Sequence, residues 1–243
     1  MPYKKVSLGL FIVWGCLSPI AHGKTYLLNS SYSPPHSTKE QTGYLDLIMK
    51  ETFRRAGHSA RIQMLPAERC LQDSNAGIAD GEMGRIRKMS QYYPNLMLVD
   101  EPMVESREFV AFSIKHRFNS DGWGSLKPYH VAIMRGWKII ENNVSGTRSL
   151  IKVDTTRSMF KLLMNDRVEV AINARIDGLY MAKQLGIAGV KVMEPPLVSL
   201  KFFLFMHKKN AAIIPGLEQA LKSMKADGTF FEIRRRVLVQ YIE

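Results

Sequence analysis

Two long strand-like runs, residues 104–114 (VESREFVAFSI) and 198–207 (VSLKFFLFMH), limit what this chain can fold into more than any other feature. Each reads as one long strand, and shorter strands alternate with amphipathic helices on both sides of them. Before the first run, residues 25–32 form a strand that the loop Ser33-Pro34-Pro35-His36-Ser37 breaks. Thr42 then caps a helix through Ala56, with Gly57 just beyond its end. Leu45, Ile48, Met49, Thr52, Phe53 and Ala56 recur at helical spacing and form its buried stripe. Residues 60–65 make a second strand that Pro66 ends, and residues 67–75 a short helix closing at Ala76-Gly77. The third strand lies in Ala79-Asp80-Gly81-Glu82-Met83-Gly84-Arg85-Ile86-Arg87.

Between the long runs the alternation repeats. Residues 129–134 form a strand, followed by the turn Arg135-Gly136-Trp137 and a short helix. A strand at 149–153 precedes a helix capped by Thr155 or Thr156 and carrying Met159, Phe160, Leu162 and Leu163. A strand at 168–174, a helix at 177–185 and a strand at 190–193 follow. After the second run come two helices, the last opening with Thr229-Phe230-Phe231-Glu232. There Glu232 is positioned to reach back to the Thr229 amide.

Strand–helix alternation of this kind specifies a mostly parallel sheet flanked by helices. The two long strands divide it, giving an α/β clamp of two lobes with two hinge crossings. One lobe is discontinuous, residues 24–114 and 201–243, and the other, residues 115–200, is inserted in it. In open α/β sheets the ligand crevice lies beyond the carboxyl ends of the strands. Residues 32–36, 66–69 and 84–87 all fall at such ends, so three distant segments are expected to converge.

Within Ala79 to Arg87, two glycines permit close backbone approach and two arginines offer planar forks for a carboxylate or phosphate. Arg85 and Arg87 are therefore the candidate grip on a small anionic or zwitterionic ligand. Glu82 needs an arginine or the ligand if it is buried. Tyr32 and Trp137 are candidates to stack on a ring or close the cleft, and packing within a lobe explains either equally well. Glu68 and Arg69 are expected to pair with each other.

The N-terminus reads as an export signal. Lys4 and Lys5 precede a mostly apolar stretch, residues 6–20, and Ala21-His22-Gly23 supplies small residues for cleavage after Gly23. The stretch is short for a membrane span and contains Pro19. A lipoprotein signal ending at Cys16 is the alternative. The mature chain would run to 243 − 23 = 220 residues and keep a single cysteine, Cys70, read as a small buried hydrophobe. The formal charge of +12 falls to +10 once Lys4 and Lys5 are removed. Its basic residues are scattered, with no run longer than Arg234-Arg235-Arg236. With an export signal in front, that argues against nucleic acid.

Several stretches resemble the type II periplasmic solute-binding proteins, family 3, the amino-acid-binding branch. Gly43-Tyr44-Leu45-Asp46-Leu47 through Arg55-Ala56-Gly57 resembles the first-helix signature, and Asn75-Ala76-Gly77-Ile78-Ala79-Asp80-Gly81 the turn before the third strand. Asn165-Asp166-Arg167-Val168-Glu169-Val170-Ala171-Ile172 resembles the second-lobe counterpart, and Lys225-Ala226-Asp227-Gly228-Thr229-Phe230-Phe231-Glu232-Ile233 the C-terminal signature. The resemblance implies a periplasmic protein, monomeric, holding a small solute for an inner-membrane ABC permease or a sensor. It implies an arginine after the third strand as carboxylate ligand; Arg85 and Arg87 both stand near that place, and Arg85 is favoured because it directly follows Gly84.

Two stretches depart from the family pattern. Where the family often has an aspartate for the ligand ammonium, this chain has Asn173-Ala174-Arg175. Asn173 is left as a hydrogen-bonding candidate and Arg175 as a site for a second negative group. Asp177 either supplies the acid or starts a helix. Arg135-Gly136-Trp137 stands where the family often has a glycine-threonine helix start, so Arg135 and Trp137 complete the candidate set. Arginine on one wall without the aspartate on the other points to an anion more than to a plain amino acid.

No H-E-x-x-H, C-x-x-C or Walker-type loop occurs, and the histidines at 36, 58, 116, 130 and 207 are dispersed, so no catalytic set, metal site or cofactor is expected. A dehydratase-like elimination on a small carboxylic acid is the alternative function.

Overall fold

The computed structural model describes residues 23–242, so the export signal and Cys16 lie outside the described residues. Strand β1 (Thr25–Ser30) pairs in parallel with β2 (Ser59–Met64) and with β3 (Gly81–Arg85). Helices α1 (Tyr44–Arg55) and α2 (Ala67–Asn75) connect them. On α1, Leu45, Ile48, Met49 and Phe53 are fully buried. Each contributes about 1.5–3 kcal/mol by leaving water, which is what fixes this helix on the sheet.

The cap of α1 differs from expectation. Gly43, not Thr42, is the N-cap, and Asp46 Oδ2 accepts from its amide at 3.0 Å. Asp46 also accepts from the Ser37 hydroxyl at 2.6 Å and the Thr38 amide at 2.9 Å. One buried carboxylate thereby ties the loop after β1 to the helix start and fixes where His36 sits.

A three-residue strand, β4 (Leu96–Leu98), precedes the first long strand, β5 (Val104–Ser113). Then come β6 (His130–Met134), α3 (Lys138–Glu141), β7 (Ser149–Val153), α4 (Thr156–Met164), β8 (Val170–Ala174), α5 (Arg175–Gln184) and β9 (Lys191–Val192). Strands β7, β6 and β8 are parallel. The second long strand, β10 (Val198–His207), leads to α6 (Ile214–Ala226) and α7 (Thr229–Ile242).

The sheet order is β2-β1-β3-β10-β5-β8-β6-β7. Its outer strands are parallel, as strand–helix alternation requires, whereas β5 and β10 run antiparallel to each other and to the neighbours they meet. Each long strand serves both halves. The start of β10 pairs with β5 (Val198 with Phe109) and its end with β3 (Met206 with Gly81). Register shifts between Leu200 and Phe202 and between Phe203 and Phe205 bend it between the two. Separate cores flank the crossing. One gathers Leu28, Phe53, Leu217 and Leu221, and two others lie in the second half, around Ile133 and Ile172 and around Phe112 and Phe160. This is a mixed α/β fold of two lobes.

Of the other helix starts, one agrees with expectation and two differ, and β1 and β8 are each two residues shorter than expected. Thr155 caps α4, its hydroxyl accepting from the Ser158 amide at 3.0 Å. Helix α5 begins at Arg175, two residues before Asp177. At α7 the Thr229 amide goes to Asp227 Oδ1 at 3.0 Å rather than to Glu232. Helix α7 packs on α1 and α6 and also on α5, where the Tyr180 and Tyr241 rings meet edge-on at 5.1 Å.

Candidate functional site

The three strand-end segments do converge. The Tyr32 hydroxyl donates to the Gly84 carbonyl at 3.3 Å, and Arg85 Nη2 donates to the Ala67 carbonyl at 2.9 Å. Gly84 has φ +73°, and a Cβ there would lie 2.2 Å from Tyr32 Cε2. Only glycine satisfies both the left-handed backbone and the contact with the ring.

The centre of this region is a residue the sequence reading did not select. Arg107 leaves β5 at the crossing, and its guanidinium lies 4.7 Å from the Tyr32 ring centroid, 5.4 Å from Phe202, 5.7 Å from Phe109 and 5.8 Å from Trp137. Four rings at these distances form an aromatic cage for a cation. Its counter-charge is Asp177, in the first turn of α5, with Nη2 to Oδ2 at 3.2 Å. The same oxygen meets His36 Nε2 at 3.1 Å. His36 lies in the loop after β1, so this triad joins the first lobe, the crossing strand and the second lobe.

Burial by itself would raise the Asp177 carboxyl, but Arg107 and His36 outweigh it and hold the group down at about 2. Burial likewise works against the charge on Arg107, and Asp177 together with Tyr32 reverses that, so its pKa is raised. Two nitrogens of the triad, Arg107 Nε and His36 Nδ1, are buried without a hydrogen-bond partner. Buried polar atoms in folded proteins are rarely left so, which marks these two for explanation.

A cavity of about 260 Å³ opens beside the triad. His36, Arg107 and Asp177 line it, with Tyr44 of α1, Glu105 and Glu108 of β5, Arg175 of α5, and Phe230, Phe231 and Arg234 of α7.

The expected site residues divide. Tyr32 and Trp137 stand around Arg107, and Trp137 also packs edge-on against Phe109 at 5.5 Å. Arg175 lines the cavity but is held by Glu108 at 2.5 Å and by both oxygens of Glu194, at 2.6 and 2.9 Å. Asn173 is buried; its Nδ2 donates to Thr156 Oγ1 at 3.1 Å, and its Oδ1 accepts from the Ala174 amide at 2.7 Å. Arg135 is exposed and paired with Asp154 at 2.9 Å. Arg87 is exposed too, paired with Asp100 and lying 4.8 Å over the Phe203 ring. Arg85 is turned to Glu82, whose Oε1 accepts from its Nε at 2.7 Å.

Glu82 is fully buried, so its pairing with Arg85 meets the requirement stated for it. Glu68 and Arg69 do not pair with each other. Arg69 reaches Asp73 at 2.8 Å and Glu68 takes the Gln72 amide at 3.2 Å, because neighbours along a helix point apart while residues four apart meet. The Cys70 thiol is buried and pushed up to about 12, which keeps it unreactive.

No family model matches this chain. A protein of Shewanella oneidensis, described as uncharacterized, is 22% identical over 232 residues, 93% of this chain and 86% of that one. Among solved structures, the GluR0 ligand-binding core complexed with L-glutamate is similar with a TM-score of 0.75 at 13% identity, covering 88% of this chain and 98% of that one. A histidine kinase sensor domain with similarity to periplasmic binding proteins gives 0.74 at 14%, covering 89% and 97%. An ancestral arginine-binding protein bound to arginine gives 0.69 at 18%, covering 90% and 98%. At these identities the likeness establishes the fold, a two-lobed one like that of the periplasmic binding proteins.

Proposed function

We infer that this protein is a solute-binding clamp, a divergent relative of the family-3 periplasmic binding proteins. On this reading it closes on a small anionic or zwitterionic ligand between a lobe of residues 24–114 and 201–243 and an inserted lobe of residues 115–200. Export with cleavage after Gly23 would put it in the periplasm. There it would serve an ABC permease or a sensor as a monomer. The similar structures support both roles: one is the substrate-binding protein of an amino-acid ABC transporter, another a kinase sensor domain.

The observation that carries the reading is Arg107. Its side chain is 12% exposed, lies where the lobes meet, and has a buried Nε without a partner. A carboxylate entering beside Asp177 would satisfy that nitrogen with a charge-assisted bond. Arg107 then fills the role the sequence suggests for Arg85 or Arg87, both of which are already held by acids.

Thermal-shift screening of the purified chain against small carboxylates and amino acids tests this, because a ligand that binds only the folded state raises its midpoint. Arg107→Gln is expected to weaken any ligand found at least 100-fold by titration calorimetry, with Arg85→Ala and Arg87→Ala close to the parent. Retained affinity in Arg107→Gln would remove the grip.

One observation favours an enzyme as second reading. His36, oriented by Asp177 through Nε2 and with Nδ1 unpartnered, has the arrangement of a general base beside an arginine that could hold a carboxylate. A dehydratase-like elimination would release product from the ligand on incubation, whereas a binding protein returns it unchanged.

A further inference from the structure

The rings that line the cavity beside the triad determine what kind of carboxylate fits. From Arg107 outward, aromatic rings follow one another: Tyr32 to His36 at 5.6 Å, His36 to Tyr44 at 6.2 Å, Tyr44 to Phe230 at 6.3 Å, and Phe230 to Phe231 at 5.5 Å. The last four of these line the cavity. They lead from a buried charged end to the exposed face of α7, where Phe231 is 52% exposed. An exposed phenylalanine at the end of a line of rings offers apolar surface to whatever enters.

The charges on the same lining are already matched, with one exception. Asp177 is held by Arg107 and His36, Glu108 by Arg175, and Glu105 by Lys225 and Lys201. No acid of the lining is left to receive an ammonium group. The unmatched group is a cation: Arg234 of α7, exposed, has no ion-pair partner among the described residues. A zwitterionic amino acid would therefore bury its ammonium without a counter-charge, a costly arrangement.

We propose that the ligand is a carboxylate with an aromatic or similarly flat apolar body and no amino group, and that the C-terminal helix α7 forms the wall and mouth of its site. This rests on the reading of Arg107 given above. The carboxylate accepts from Arg107 Nε, the body lies along Tyr44 and Phe230, and Arg234 attracts the anion at the mouth. The volume of about 260 Å³ suits a single small ring with a short acidic side chain.

Titration calorimetry of the purified chain with 3-phenylpropionate, phenylalanine and acetate tests the proposal. The two aromatic probes differ by the ammonium group alone. 3-Phenylpropionate is expected to bind at least tenfold more tightly than either of the others. Phe231→Ser and Arg234→Gln, both exposed and not part of any core, are each expected to weaken it about fivefold or more without moving the thermal midpoint. Equal or tighter binding of phenylalanine, no binding of 3-phenylpropionate, or parent-like affinity in both variants would overturn it. If a polar anion instead binds in a manner lost in Arg107→Gln and unaffected at 231 and 234, the apolar-bodied ligand is wrong and the clamp reading stands. If binding survives Arg107→Gln, the clamp reading fails first.

Discussion

Glu82 is completely buried, with Oε1 bound to Arg85 and Oε2 without a partner. Burial pushes its carboxyl up to about 7 from 4.5, against the pull of Arg85. Between those values the folded chain holds a proton that the unfolded chain has released, so stability falls as pH rises through this window and levels off above about 7. Glu82→Gln removes this dependence. The stability of the parent relative to the variant should drop by on the order of 3 kcal/mol from pH 4.5 to 7.5, measured by denaturant unfolding at a series of pH values. A difference that stays flat across the range would mean Glu82 is ionised throughout. Asp177 behaves oppositely: its stabilisation is present above the ordinary carboxylate value of 3.8 and is lost as pH falls toward 2. At this scale the sequence was informative for Glu82, since a carboxylate inside a short strand demands a partner and Arg85 is three residues away. It was uninformative for the pairing of His36 with Asp177, which is 141 residues along the chain.

Two helix features follow their local sequence pattern, although the caps of α1 and α7 fall to neighbouring residues. The buried stripe of α1 and the Thr155 cap of α4 need only side chains three or four residues apart. Glycine in a helix is different, because its effect depends on what packs across from it. Gly178 in α5 would place a Cβ 2.3 Å from Phe112 Cζ. Gly178→Ala, which in an exposed helix would stabilise, is expected here to cost about 1–3 kcal/mol by driving into a core ring. Gly216 in α6 meets only the Ala56 Cβ at 3.8 Å, so Gly216→Ala should be neutral or stabilise by up to about 1 kcal/mol. Thermal or denaturant unfolding of the pair separates the two cases, and equal effects would refute the packing argument.

Across the whole molecule, the lobes are linked by β5 and β10 and by side-chain contacts that include His36 with Asp177, Arg107 with Asp177, and Tyr180 and Lys183 with Tyr241. Two of these contacts depend on one carboxylate. Asp177→Asn leaves the Arg107 charge buried without its partner, and loss of one member of a buried pair typically costs about 3–5 kcal/mol. Because the pair spans the crossing, this variant should also be more open, with a larger radius of gyration in small-angle scattering without ligand. Unchanged dimensions together with the expected loss of stability would assign the triad to packing rather than to holding the lobes together.

The sequence by itself determined the elements and their alternation, the long strands at 104–114 and 198–207, and the meeting of the segments after β1, β2 and β3. Hydrophobic periodicity, caps and breakers act within a few residues, so they can be read along the chain. Only the tertiary structure decided which arginine stands between the lobes. Arg85 and Arg87 are attractive in sequence, yet Glu82 and Asp100 hold them. Arg107 stands between Glu105 and Glu108, so along the chain it reads as one charge among several at the start of a strand. Its rings come from positions 32, 109, 137 and 202 and its counter-ion from position 177. No local pattern encodes such a set, because it forms only when two crossing strands bring both lobes to one place.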